Sequence, residues 1–264
     1  MTNRRVLVLL ALGGLWIAAC TTPTAASTAT PVPSATPAAP TATPIPPSPT
    51  PVPSTSTPAI ESVTFTTEDG VELDGRISGQ GTTWVILVHM LQSNQQTWSE
   101  FAELARQEGV AVLTFDLRGH GNSGGSRDAE DFPLDVAAAI GLAEARGAEG
   151  MILMGASMGG AAVIESGAAA SVRGVVAISA PSVDPLRWDA QDLMSITAPK
   201  LFVATQEDTD GYYVQLVEYF DTWAPEPKES RVFPGAAHGT DLFADSAIRQ
   251  EFIELLLEFI RTHK

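Results

Sequence analysis

Residues 151–160 read Met-Ile-Leu-Met-Gly-Ala-Ser-Met-Gly-Gly, a short apolar run followed at once by the pattern Gly155-x-Ser157-x-Gly159. The apolar run predicts a buried strand. The glycines on either side of Ser157 permit a strained turn in which larger side chains would clash. Such a turn exposes the serine oxygen and leads into a helix N-terminus, where unpaired N–H groups stabilise negative charge. The stretch therefore predicts a strand, a turn and a helix around a candidate nucleophile.

Short apolar runs and helical patterns alternate along the rest of the chain. Strands are predicted at residues 62–66, 71–77, 84–89, 110–115, 151–154, 175–179 and 201–205, the first two joined by a turn at residues 68–70. Helices are predicted at residues 97–107, 131–146, 160–169, 212–223 and 242–261. Nearly continuous apolar strands alternating with helices predict an α/β fold, with a mostly parallel, doubly wound sheet and helices on both faces. Active sites in such sheets lie beyond the carboxyl ends of the strands, where Ser157 falls.

A serine hydroxyl becomes a good nucleophile when an imidazole takes its proton and a carboxylate orients that imidazole. His238 is the best candidate base because it lies in a glycine-bounded loop, residues 235–239, after a short apolar segment. Asp208 is the best candidate acid because it follows the strand at residues 201–205, although Glu207 and Asp210 share its loop. The remaining internal histidines, His89 and His120, are interpreted as structural residues that hold turns.

The chain resembles the α/β-hydrolase superfamily in the order Ser157, Asp208, His238, which is that family's order of nucleophile, acid and base. Two segments agree: residues 116–123, Asp-Leu-Arg-Gly-His-Gly-Asn-Ser, resemble the turn after the fourth strand, and residues 87–91, Leu-Val-His-Met-Leu, resemble the oxyanion turn after the third. The resemblance covers residues 60–264 and implies a sheet of about eight strands and no cofactor.

The resemblance also implies an oxyanion hole built from two backbone amides. Met90 stands where the family commonly has glycine. By position, Leu91 supplies one N–H, with Met90 as the alternative, and Met158 supplies the other.

Only residues 180–200 separate the predicted sixth strand from the acid-bearing strand, which leaves room for a loop and one short helix but not for a large lid domain. An open, shallow site suited to small esters is therefore expected, similar to the dienelactone-hydrolase-like and serine-aminopeptidase-like branches. Trp188, Leu186 and Leu193 in this insert either line an acyl pocket or pack against the sheet. A carboxylesterase is the leading prediction. A monoacylglycerol lipase, a thioesterase, an aminopeptidase and an inactive surface-binding module are the alternatives.

The first 59 residues predict export and attachment to a membrane. Residues 1–20 combine Arg4 and Arg5 with an apolar run that ends in Ile-Ala-Ala-Cys, a pattern that resembles a bacterial lipoprotein signal with lipidation at Cys20. Residues 21–59 carry no charge and are rich in Thr, Pro and Ser, which predicts an extended tether. Residues 60–264 form the predicted hydrolase domain, facing outside the cytoplasm.

Charge and composition limit the binding partners of this domain. Removing the two positive charges of Arg4 and Arg5 from the net charge of −16 leaves −18 for residues 60–264. An acidic surface argues against nucleic acid and against binding to anionic lipids, so membrane attachment is expected to come from the lipid on Cys20. No metal-ligand spacing is visible in the sequence. The expected partner is a small ester or other acyl substrate, and a monomer is expected.

Overall fold

The computed structural model describes residues 60–169, 171–184 and 187–264. The predicted signal peptide, Cys20 and the predicted tether lie outside the described residues. The fold is built on one sheet of eight strands. The strands are β1 (Glu61–Thr66), β2 (Glu72–Gly79), β3 (Thr83–Val88), β4 (Ala111–Phe115), β5 (Gly150–Ala156), β6 (Val172–Ile178), β7 (Lys200–Thr205) and β8 (Lys228–Phe233).

The sheet is mostly parallel, as the sequence predicts. Its strand order is β1-β2-β4-β3-β5-β6-β7-β8. The β1–β2 and β2–β4 pairs are antiparallel, and every pair from β4–β3 to β7–β8 is parallel. The β1–β2 hairpin turns at Gly70, whose φ of +88° suits glycine. The carboxyl ends of the parallel strands therefore meet at one edge, where the loops after β3, β5, β7 and β8 come together.

Helices cover both faces of the sheet, as predicted. The helices are α1 (Ser99–Gln107), α2 (Phe132–Ala145), α3 (Met158–Ser166), α4 (Ala190–Ser195), α5 (Tyr212–Trp223) and α6 (Arg249–His263). The apolar side chains of α2, α3, α4 and α5 pack in one core cluster, and those of α1 and α6 pack in the other. The central strands β3, β4 and β5 are buried along their whole length, which explains their continuous apolar sequences.

Two elements differ in kind from the sequence predictions, and β6 and α3 begin earlier than predicted, at Val172 and Met158. In place of one helix over residues 242–261, the chain forms a 3-10 turn (Gly239–Phe243) and then α6, which begins only at Arg249. Asp245 separates them because its side chain accepts a hydrogen bond from the Ala247 amide at 3.0 Å, and such local bonds compete with helix formation. The short apolar segment before His238 belongs to β8, an edge strand whose partial burial explains its weak apolar pattern.

The segment between β6 and β7 contains no large lid domain within its described residues. Its only helix there is α4, which begins at a capping box formed by Asp189 and Asp192. Among the residues that the structure describes, no helix is both long enough and apolar enough to cross a membrane.

Candidate active site

Ser157 lies in the turn between β5 and α3, at the carboxyl edge of the sheet. Its φ of +51° is in the left-handed region that non-glycine residues rarely adopt. The turn is possible because both neighbouring glycines lack side chains. A Cβ on Gly155 would lie 2.1 Å from the Gly159 carbonyl oxygen, and one on Gly159 would lie 2.5 Å from the His89 carbonyl oxygen. The structure thus has the strand, strained turn and helix that the Gly-x-Ser-x-Gly pattern predicts.

The structure brings Ser157, His238 and Asp208 into one row of hydrogen bonds. His238 Nε2 lies 2.8 Å from Ser157 Oγ, and His238 Nδ1 lies 2.7 Å from Asp208 Oδ2. The Asp208 side chain is 4% exposed and that of His238 is 30% exposed. A buried carboxylate on Nδ1 leaves the Nε2 lone pair free to accept the proton of the serine hydroxyl. The arrangement can therefore activate Ser157 as a nucleophile.

The acid loop distinguishes Asp208 from the two other carboxylates near it. Asp208 is buried, whereas Glu207 and Asp210 are exposed. Thr209 and Asp210 both have left-handed backbones, with φ of +50° and +54°, so the chain turns sharply after Asp208. Among the three, the structure places only Asp208 against His238.

The turn after β3 is held by the buried side chain of His89. The Nε2 atom accepts a hydrogen bond from the Leu117 amide at 2.9 Å, so Nδ1 carries the proton and donates to the Met90 carbonyl oxygen at 2.8 Å. Burial lowers the pKa of His89 to about 4, which keeps the ring neutral. This geometry agrees with the interpretation of His89 as a structural residue.

The two predicted oxyanion amides come from this turn and from α3. Because the Met90 carbonyl points towards His89, the N–H of Leu91 in the same trans peptide points the opposite way. The Leu91 amide donates to no other described residue. Met158 is the first residue of α3, so its amide has no partner within the helix. Both amides are therefore available to a ligand.

The turn after β4 is hydrogen-bonded to the segment that follows the β3 turn. The Asp116 carboxylate accepts hydrogen bonds from the Gln95 amide at 2.8 Å and the Asn122 amide at 2.9 Å. Gly121 is required because a Cβ there would lie 1.9 Å from an Asp116 oxygen. His120 in the same turn donates from Nδ1 to the Arg118 carbonyl at 2.9 Å and is buried, in agreement with a structural role.

The apolar residues of the β6–β7 insert pack inward. Trp188 is buried against Phe202, with ring centroids 5.7 Å apart, and Leu193 is fully buried in the same core. Of the two predicted uses, these contacts correspond to packing against the sheet. Leu186 lies outside the described residues.

Sequence reasoning missed one residue that contacts the base and two that bond to the backbone on either side of it. The Tyr213 ring packs on the His238 imidazole with centroids 5.0 Å apart, and burial raises the pKa of Tyr213 to about 12. Hydroxyl groups of Ser179 and Thr205 bond to the backbone beside His238. Thr205 and Ser179 end predicted strands, and polar residues at the carboxyl ends of strands are the signal that could have found them.

Within residues 60–169, 171–184 and 187–264, no three His, Cys, Asp or Glu side chains are grouped as a metal site requires.

Comparison with known proteins agrees with this architecture. The alpha/beta hydrolase family matches residues 77–252 of the chain. A search of curated proteins finds no significant match.

Similar solved structures include three hydrolases. An esterase from Pyrococcus furiosus is 22% identical, with a TM-score of 0.67 over 78% of this chain and 93% of that one. An esterase from Thermogutta terrifontis is 17% identical, with a TM-score of 0.65 over 77% of this chain and all of that one. A monoacylglycerol lipase from Paleococcus ferrophilus is 22% identical, with a TM-score of 0.59 over 78% of this chain and all of that one. At these identities the likeness concerns the fold, and together with the family match it leads to one conclusion: the chain is a member of the alpha/beta hydrolase family.

Proposed function

We propose that this protein is a serine hydrolase that cleaves carboxylic esters, with Ser157 as nucleophile, His238 as general base and acid, and Asp208 as the group that orients His238. The observation that carries the proposal is the row of hydrogen bonds, 2.8 Å from Ser157 to His238 and 2.7 Å from His238 to Asp208. Further support comes from the order of the three residues in the chain, which is the alpha/beta hydrolase order of nucleophile, acid and base, and from their common location at one edge of the sheet.

In the acylation step, Ser157 Oγ attacks the ester carbonyl carbon while its proton passes to His238 Nε2. Asp208 stabilises the imidazolium that forms. The tetrahedral intermediate collapses when the bond to the alcohol oxygen breaks and His238 returns the proton to that oxygen. The alcohol leaves, and the acyl group remains on Ser157.

In the deacylation step, water takes the place of the alcohol. His238 accepts a proton from the water as its oxygen attacks the acyl carbon, and then returns the proton to Ser157 Oγ. The carboxylic acid leaves and the starting state is restored. No cofactor takes part in the proposed cycle.

The negative oxygen of each intermediate is proposed to lie between the amides of Leu91 and Met158. The Met158 amide is at the positive end of α3, where the helix dipole also favours negative charge. The Met90 amide is the alternative to Leu91, because neither amide donates to another of the residues that the structure describes.

A small ester is the proposed substrate, and carboxylesterase is the proposed class. The insert between β6 and β7 contributes one short helix rather than a large lid, which supports an open site. The partial exposure of His238 supports the same conclusion, since a deep acyl tunnel would cover the base. Esterases among the proteins of similar structure are consistent with ester chemistry.

Hydrolysis of p-nitrophenyl esters tests the proposal. The acetate, butyrate and octanoate should give p-nitrophenol with wild-type protein and background release with Ser157→Ala. Proline p-nitroanilide, run in parallel, reports peptidase activity. Equal release by wild type and Ser157→Ala, or release from the anilide alone, would contradict an esterase that uses Ser157.

We further propose that the protein is exported and attached to a membrane by a lipid on Cys20, where the monomer expected from the sequence would face outside the cytoplasm. The support is the apolar run that ends in Ile-Ala-Ala-Cys, together with a domain charge that disfavours direct contact with anionic lipids. Intact-mass measurement of protein from the membrane fraction should show a mature chain that begins at a diacylated Cys20, and Cys20→Ser should abolish this species. An unmodified cysteine would contradict the proposal.

A further inference from the structure

The loop that carries His238 has one backbone hydrogen bond to the turn that follows it, from the Asp241 amide to the His238 carbonyl oxygen at 2.9 Å. It runs from the end of β8 to a 3-10 turn and reads Pro-Gly-Ala-Ala-His-Gly over residues 234–239. Gly235 and Gly239 both have positive φ, +95° and +56°. Glycine gives the unfolded loop many alternative conformations, so a fixed base requires restraints from elsewhere in the fold.

Two buried hydroxyl groups supply such restraints, one on each side of His238. Thr205 Oγ1 donates to the Ala237 carbonyl oxygen at 2.9 Å, which fixes the peptide before His238. The Gly239 amide donates to Ser179 Oγ at 3.2 Å, and this bond holds the N–H side of the peptide whose carbonyl accepts from Asp241. Both hydroxyl-bearing residues are fully buried. Holding both peptide planes fixes φ and ψ of His238, and with them the direction in which its side chain leaves the backbone.

The two hydroxyls also come from the strand ends that position the other site residues. Thr205 is the last residue of β7, three residues before Asp208. Ser179 follows β6 directly, and the preceding residue, Ile178, accepts a hydrogen bond from the Ser157 amide at 2.8 Å. The backbone beside the base is therefore hydrogen-bonded to the ends of β6 and β7, which also position the nucleophile and the acid.

The strained backbone conformation of Ser179 indicates that its hydroxyl has a specific role. Its φ of +46° lies in the left-handed region, where glycine is favoured and a serine is strained. A strained, fully buried residue beside an active site points to a functional constraint. Here the side chain provides the acceptor for Gly239, which glycine at position 179 would lack.

We propose that Ser179 and Thr205 are positioning residues that bracket His238 and hold its imidazole between Ser157 and Asp208. This inference rests on the proposed function. Neither residue touches the reacting atoms, so both act on the rate through the position of the base. A displacement of about 1 Å in a catalytic group costs on the order of 100-fold in rate.

The test compares variants that remove each hydroxyl with matched variants elsewhere. Thr205→Val and Ser179→Gly should each lower kcat by about tenfold or more, with KM changed less than twofold, and the double variant should lower it further. Thr205→Ser should restore kcat because it retains the hydroxyl. Thr83→Val is the matched control, since Thr83 is buried at the opposite, amino end of β3.

Ser179→Gly separates positioning from stability, because glycine relieves the left-handed backbone while removing the acceptor. The proposal expects a thermal midpoint equal to or above that of wild type together with a reduced kcat. Wild-type kcat in Ser179→Gly and Thr205→Val would overturn the proposal, as would a loss in Thr205→Val that Thr205→Ser fails to restore.

A second readout is independent of catalysis. The imidazole of His238 is titrated by NMR in the Ser157→Ala background, with and without Thr205→Val. A titration midpoint that changes in Thr205→Val but not in Thr83→Val supports the positioning role, even if the protein hydrolyses no ester. Failure of the proposed function can therefore be distinguished from failure of this inference. An unchanged midpoint would overturn the inference.

Discussion

The turn around Ser157 and the loop around His238 position the candidate nucleophile and base of one site through different kinds of contact. The Ser157 turn is determined by sterics, because backbone atoms lie so close to Gly155 and Gly159 that neither position has room for a side chain. The His238 loop is shaped by attraction, through hydrogen bonds from residues 32 and 60 positions away in the chain. The comparison teaches that the turn of the nucleophile depends on glycines within its own sequence, which let the backbone of the β3 turn approach, whereas the loop of the base depends on hydroxyl groups at the ends of distant strands.

Adding one methyl group at Gly159 should have the largest effect, because it breaks the turn that is fixed by sterics. In Gly159→Ala the new Cβ would meet the His89 and Val88 carbonyl oxygens at 2.5 and 2.6 Å, and rigid backbone cannot yield cheaply. We expect esterase activity to fall below detection and the free energy of unfolding to fall by about 1–3 kcal/mol. Kinetics and denaturant titration provide the measurement.

The matched control for that change is Gly141→Ala. A Cβ at Gly141 in α2 would meet nothing within 4 Å, so alanine should stabilise the protein by about 0.5–1 kcal/mol and leave activity intact. Equal behaviour of the two variants would argue against a sterically fixed turn.

Asp208→Asn tests the hydrogen bond of 2.7 Å between Asp208 and His238. An amide can present the wrong tautomer to His238 and cannot stabilise the imidazolium, so kcat should fall by about 10⁴-fold with the fold intact. Asp210→Asn, in the same loop but exposed, should change kcat less than twofold. The reverse ranking would assign the acid to Asp210.

Lowering the pH should reduce the free energy of unfolding through protonation of His89, whose carbonyl lies against the Ser157 turn. Its folded-state pKa is about 4 against 6.5 in the unfolded chain, so the unfolded state takes up the proton first as the pH falls. The stability linked to this group is fully present above pH 6.5 and declines towards pH 4, by about 3 kcal/mol at most. Unfolding free energies at pH 7.5 and 4 should differ less in His89→Gln, which does not titrate, than in wild type. Identical differences would contradict this role of His89.

The smallest expected effect comes from the ring that packs on the base. Tyr213→Leu removes the aromatic contact with His238, 5.0 Å between centroids, and should lower kcat by roughly tenfold. Tyr213→Phe keeps the ring and should stay within about threefold of wild type. If the two variants were equally impaired, the hydroxyl rather than the ring would be responsible.

The sequence predicted the parts of the site that depend on local pattern. Gly155, Ser157 and Gly159 define the turn within five residues, and the buried central strands appear as apolar runs because both of their faces are covered. Asp208 and His238 followed from their places at strand ends and from the family order. Helix α5 has the bounds that its amphipathic pattern predicts.

The parts that depend on distant contacts could not be predicted. Ser179 and Thr205 look like ordinary ends of strands, and nothing nearby in the sequence shows that their hydroxyls meet the loop of His238. The edge strand β8 is only partly buried, so its sequence lacks the continuous apolar run that predicts a strand. The apolar period over residues 242–261 predicts one helix because it does not show the break at Asp245. The burial that separates Asp208 from the exposed Glu207 and Asp210 is likewise not visible in the loop sequence, although its place after the strand favours Asp208.

The central claim is that Ser157 is the nucleophile activated by His238. Labelling with a fluorophosphonate probe, followed by peptide mapping, tests it most directly in wild type, Ser157→Ala and His238→Ala. The account predicts one modified peptide that contains Ser157 in wild type, no labelling in Ser157→Ala, and strongly slowed labelling in His238→Ala. Undiminished labelling in Ser157→Ala, or modification of another serine in wild type, would contradict it.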